Sequence, residues 1–187
     1  LRRDVESVLP FFKDIRVGTP LLYSVEDAEK VVSILGSRYN APAQSKKVAK
    51  EHFVLVGHGT YTPSTAIYSQ MDYMLKANGL PNFHVGTIEG YPTFETMLAQ
   101  LKATKAKQVT LVPFMFVAGE HAKNDIAGEW KEALEKEGYT VNTHLEGLGQ
   151  VPEIQEIFIS HIRFGLKHRI LDIMTKKAAY AAGKDVE

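Results

Sequence analysis

Three short apolar runs constrain this chain most: HFVLV at 52–56, FHVGTI at 83–88 and VTLVPFMFV at 109–117. Each is closed by glycine or proline and followed by a segment with apolar residues at helical spacing. Strands that are apolar on both faces need helices covering both faces. Such runs alternating with helices of about 10–15 residues predict a parallel sheet with helices on each side. The expected fold is therefore α/β, a flavodoxin- or Rossmann-like three-layer arrangement. Helices are predicted at 1–12, 25–39, 66–77, 94–104, 125–137 and from Pro152 onward. A further strand is expected at 15–22 and a last one at 140–144. Ser24 followed by Asp27 is a capping-box signal for the helix at 25–39, and Gly138 is placed to end the helix at 125–137.

Lys plus Arg and Asp plus Glu both number 22, so the formal net charge is zero. A balanced chain has no long-range field to gather nucleic acid, which is excluded as an expected partner. There is no cysteine, so any metal must be held by His, Asp or Glu. No apolar stretch is long enough to span a bilayer, and no membrane partner is expected. A cytoplasmic location is expected, with a periplasmic one as the alternative because the chain opens on Leu1 in mid-helix. Neither a P-loop nor a G-x-G-x-x-G occurs, so no nucleotide is expected.

In an open parallel sheet, ligands bind beyond the carboxyl ends of the strands. His58, Glu89 and His121 all fall just past such ends, 31 and 32 residues apart, the length of successive strand–helix units. Two imidazoles and one carboxylate on one rim make a mixed nitrogen and oxygen site for a divalent first-row metal. Glycine on both sides of His58 permits close backbone approach. Taken singly, each of the three reads equally as a polar loop residue. His144 ends the last strand on the same rim and is a candidate supporting group. His52 and His84 lie within strands, while His161 and His168 read as the solvated face of the last helix.

Several stretches resemble the carboxyl-terminal half of the anaerobic, class II sirohydrochlorin cobaltochelatases. They are VGTPLL at 17–22, VGHGT at 56–60, VGTIEGYP at 85–92, LVPFMFVAGEHAKNDIAG at 111–128 and GLG at 147–149. Their order and spacing agree, and the resemblance covers roughly 1–166. It implies that His58, Glu89 and His121 bind the metal on one side of a cleft in which the tetrapyrrole lies. The implied reaction is insertion of Co2+ into sirohydrochlorin or precorrin-2 in anaerobic cobalamin biosynthesis, a lyase-type chelation. Fe2+ or Ni2+ would suit the same ligands. Residues 1–50 then read as the end of an amino-terminal half, 51–166 as the chelatase domain and 167–187 as a helical extension. A full-length family member has two such halves. Either a missing amino-terminal half or a second copy in a homo-oligomer is therefore expected to supply the other cleft wall.

Metal insertion exchanges two pyrrole N–H protons for one cation. His58 and His121 would deliver the metal, and Glu89 would ligate it and pass protons to solvent. Thr60, Tyr61, Ser64 and Thr65, with Lys123 and Asn124, are candidates for the tetrapyrrole's carboxylates, and Phe114, Met115 and Phe116 for its apolar wall; core packing is the competing reading for at least two of the last three. Two other functions compete: a non-catalytic metal, tetrapyrrole or haem binding module, and a ferrochelatase using Fe2+. A histidine phosphatase is disfavoured, because Gly57 stands where its Arg-His-Gly triplet needs arginine.

Overall fold

A computed structural model describes residues 2–40, 51–120, 124–167 and 181–183. The helices are α1 (Arg2–Val8), α2 (Val25–Asn40), α3 (Ala66–Ala77), α4 (Phe94–Lys102), α5 (Lys131–Lys136) and α6 (Pro152–Lys167). The strands are β1 (Glu51–Gly59), β2 (Phe83–Glu89), β3 (Gln108–Pro113) and β4 (Thr140–Thr143). They form one sheet in the order β2-β1-β3-β4, with every pairing parallel.

The chain divides into two compact units, Ser24–Gln155 and a second made of Leu1–Tyr23 with Glu156–Glu187. The first holds the sheet. Side chains alternate between the sheet's two faces, as a pleated strand requires. On one face, Val54 and Val56 of β1 meet Met97 and Leu101 of α4 and Leu134 of α5. Ile126 and Trp130 join them from a π-helical turn, Asp125–Trp130, that leads into α5. Gly86 makes room there, since a Cβ at that position would lie 2.7 Å from the Trp130 ring. On the other face, the Phe53 and Phe83 rings stack at 5.0 Å, and Tyr39 of α2 lies over both. Helices thus cover both faces, as the apolar strands demand.

Local signals act as expected at α2. The Asp27 N–H donates to Ser24 Oγ at 3.1 Å, and Ala28, Val31, Val32 and Leu35 are buried. Because α2 packs with α3, the helix read with the amino-terminal segment lies in the unit that holds the sheet. Gly138 closes α5 with φ +88°.

Two expected strands differ. Residues 15–22 form no strand. Within the smaller unit, Arg16 instead donates from Nη1 to Gly165 O at 2.8 Å and to Leu166 O, which satisfies orphan carbonyls at the end of α6. Leu22 then turns the chain with φ +65°. The apolar run at 109–117 leaves the sheet at Pro113. Beyond it, Met115 O and Phe116 O accept from Leu148 N and Gly149 N at 2.8 and 2.9 Å, so the backbone is satisfied by a turn and not by a strand. His161, expected on a solvated face, is half-buried and donates from Nδ1 to Thr19 O at 3.0 Å. His168 lies outside the described residues.

Candidate functional site at the carboxyl edge of the sheet

Parallel pairing brings the carboxyl ends of β1, β2 and β3 to one edge. His58 is the penultimate residue of β1 and is exposed. Glu89 is the last residue of β2, half-buried, and stands in register with Gly59. The structure therefore sets His58 and Glu89 at the end of one strand pair. Strand alternation holds up to these two residues, and directly after each of them a glycine of positive φ, Gly59 or Gly90, turns the chain. His121 and Lys123 lie outside the described residues. Among the described residues, no three His, Asp or Glu side chains gather as a metal cluster.

Two glycines interlock the loops that carry these residues. Gly59 has φ +78°, and a Cβ there would land on the Glu89 carbonyl oxygen. Gly90 has φ +79°, and a Cβ there would land on Thr60 O. Each loop thus rests on the backbone of the other, at a separation only glycine allows. Thr87 adds a brace, its backbone N–H and Oγ1 both donating to Pro92 O at 2.7 and 2.8 Å. Gly57 faces the Tyr68 ring of α3, where a Cβ would collide.

Beside this edge lies an open cleft of about 430 Å³, lined by Phe116, Val117, Ala118, Leu145, Gly149 and Gln150. Phe116 is 51% exposed and Val117 71%. The Gly147-Leu148-Gly149 turn supports them from behind. A Cβ on Gly147 would be 2.8 Å from Phe116 O, and one on Gly149 would be 2.9 Å from the Phe116 ring. Of the wall residues expected from sequence, Phe114 is buried, edge-on to Tyr68. Met115 is half-buried against the core. Phe116, the third expected wall residue, faces outward, as does its neighbour Val117. Strand alternation alone could not pick out Val117, because β3 ends before it; the paired glycines at 147 and 149 were the available signal. Thr60 is half-buried, and Tyr61 stands 84% exposed on the same edge. Tyr91, in the loop after Glu89, is also exposed at 52%.

His144, the candidate supporting group, is tied to its neighbours. Its Nε2 contacts Glu146 Oε2 at 3.0 Å, and its ring meets Tyr39 edge-on. The His144 hydrogen bond, with Arg38 next, holds the Glu146 carboxyl below its ordinary pKa.

The sequence matches the model of the family described as Cobalt chelatase (CbiK) over residues 1–166. The chain belongs to the cobalt chelatase family. It is 32% identical over 181 residues to the sirohydrochlorin cobaltochelatase of Salmonella typhimurium, covering 95% of this chain and 64% of that protein. To sirohydrochlorin cobaltochelatase CbiKC of Nitratidesulfovibrio vulgaris it is 31% identical over 155 residues, covering 81% and 53%. The chain thus spans 64% and 53% of the length of these curated relatives. Among solved structures, it is similar to a cobalamin (vitamin B12) biosynthesis CbiX protein from Marinobacter aquaeolei VT8. That likeness has a TM-score of 0.53 and 21% identity, covering 63% of this chain and 95% of the other. A second, to the multi-domain DR2241 of Deinococcus radiodurans, described as structurally similar to chelatases, has a TM-score of 0.51 and 16% identity. It covers 71% of this chain and 28% of that one. These two likenesses bear on the fold alone. They agree with the chelatase-like parallel sheet read from the sequence.

Proposed function

We propose that this cobalt chelatase family member takes part in inserting Co2+ into sirohydrochlorin, with His58, Glu89 and His121 handling the metal. The observation that carries the reading is the family match over residues 1–166, with the expected His58 and Glu89 at adjacent strand ends of one sheet edge. Both curated relatives are named for sirohydrochlorin and cobalt. Imidazoles and a carboxylate suit first-row divalent ions, and in this reading the cation is the substrate.

The chemistry asks little of the protein beyond placement. A partly dehydrated Co2+ must be held at one face of the macrocycle while two N–H protons leave. Imidazole nitrogen of His58 and His121 supplies exchangeable ligands. Glu89 supplies an oxygen that ligates and then accepts the two protons in turn, passing each to solvent. Phe116 and Val117 offer an apolar wall of the kind a flat macrocycle binds against, and Thr60 and Tyr61 offer hydroxyls to its peripheral carboxylates. The facing wall belongs to an amino-terminal half or to a second copy of the chain.

A second reading, a binding module without turnover, draws on the chain's spanning only 64% of its Salmonella relative. One assay separates the two. Sirohydrochlorin and Co2+ are mixed with the chain, and the change in the macrocycle's visible absorption is followed. The proposal predicts acceleration over the protein-free rate. His121→Ala and His58→Ala should each lower that acceleration by at least about 100-fold, as loss of a direct metal ligand would. Binding of Co2+ or sirohydrochlorin with no acceleration would favour the module. Full activity in His121→Ala would remove the assigned ligand set.

A further inference from the structure

We propose that Thr65 is a positioning residue that holds Glu89 at the metal through the backbone of Tyr91. The inference rests on the reading of His58 and Glu89 as metal-handling groups. Thr65 ends the short 3-10 turn Pro63–Thr65 that opens α3. It therefore belongs to the loop that leaves His58. Its hydroxyl reaches across to the loop that leaves Glu89. Thr65 Oγ1 donates to Tyr91 O at 2.9 Å and accepts from Tyr91 N at 3.2 Å. One side chain thus fixes both polar groups of a single peptide residue, two positions after Glu89.

The loop needs such a tether. Gly90 carries positive φ, the conformation with least intrinsic restraint. It lies between Glu89 and Tyr91, so nothing in its own side chain limits where Glu89 points. A Cβ on Gly90 would fall 2.9 Å from Thr65 Oγ1, which places that hydroxyl directly over Gly90. Thr87 anchors Pro92 from one side and Thr65 anchors Tyr91 from the other. Both anchored residues follow Gly90, so the carboxyl side of Glu89-Gly90 is fixed by these bonds and its amino side by β2. Hydrogen-bonded groups behind a metal ligand fix its orientation, and their loss typically costs about 10–100-fold in metal affinity or activity.

The test compares Thr65→Val, which keeps the shape and removes the hydroxyl, with Thr65→Ser, which keeps the hydroxyl. Co2+ affinity of the full chain is measured by calorimetry alongside melting temperature, with His58→Ala and Glu89→Gln as references. Thr65→Val should bind Co2+ about 10–100-fold more weakly, with Thr65→Ser restoring wild-type affinity and all folds intact. In the chelation assay the loss should appear chiefly as a raised KM for Co2+. If Thr65→Val melts early, Thr65→Ala removes the hydroxyl without the added methyl, and the same weakening is expected. Wild-type affinity in Thr65→Val or Thr65→Ala, with both references weakened, overturns the role of Thr65 and leaves the site standing. Wild-type affinity in both references overturns the site itself.

Discussion

Glycines carry much of the specificity of this edge, and two of them can be set against each other. Gly59 and Gly138 both have positive φ, +78° and +88°. Around Gly138 there is open space, whereas Gly59 lies on the Glu89 carbonyl. Alanine at either position meets the same backbone cost, about 1–2 kcal/mol. Only at Gly59 must the two loops also part. Urea unfolding should show Gly138→Ala destabilised by about 1 kcal/mol and Gly59→Ala by about 2 kcal/mol more. Co2+ binding should be lost only in the second. Equal losses in the two variants would mean that the close approach at Gly59 contributes nothing. Flanking glycines at His58 were legible in the sequence as a permissive signal. What they permit, the backbone of Glu89, was not, because the contact joins residues about thirty positions apart.

At the scale of elements, β1 and β2 share a buried histidine pair that stands at the start of the strands, away from the carboxyl edge. His52 Nδ1 and His84 Nε2 are 2.8 Å apart, with the rings stacked. His84 is 1% exposed. Burial, with the charges of Lys76 and His52, pushes the His84 pKa down to about 4; burial also lowers that of His52. Asp72 and Lys76 of α3 form an ion pair nearby at 2.5 Å, and Gln100 of α4 donates to Asp72. An unfolded histidine takes its proton near pH ~6.5, but folded His84 refuses it until about pH 4. Protons therefore bind the unfolded chain preferentially, and stability is full above pH ~6.5 and falls as pH drops toward 4. The loss is on the order of 3 kcal/mol. Urea titrations at stepped pH should show that slope, and the double variant His52→Leu with His84→Leu should flatten it. A slope unchanged in the double variant would assign the acid sensitivity elsewhere.

The same elements show what a linear reading can and cannot reach. Helix α3 was legible from apolar residues at helical spacing, and strands β1 and β2 from continuous apolar runs that are buried on both faces. The run at 15–22 looked like a strand because it is apolar, yet its Arg16 answers to carbonyls 149 and 150 residues away. The end of β3 was misplaced for a related reason. Residues 114–117 are as apolar as a strand, but their backbone partners are the 148–149 turn. Pairing partners of that separation leave no local mark.

For the whole molecule, the family and the sheet follow from motifs that survive in order along residues 1–166. His58 and Glu89 were named from strand ends and stand at strand ends; of Phe114, Met115 and Phe116, all named as wall candidates, Phe116 is the one that faces outward. The chain's span of 64% and 53% of its curated relatives makes the metal site the part most open to direct test, since all three proposed ligands lie within this chain. Crystals of the chain loaded with Co2+ and measured at the cobalt absorption edge would locate the ion by its anomalous scattering. The account predicts one strong peak at the carboxyl edge of the sheet. It should lie about 2.0–2.2 Å from an imidazole nitrogen of His58, one of His121 and a carboxylate oxygen of Glu89. A cobalt peak elsewhere, at His144 and Glu146 or beside His52 and His84, with none between those three residues, would contradict it.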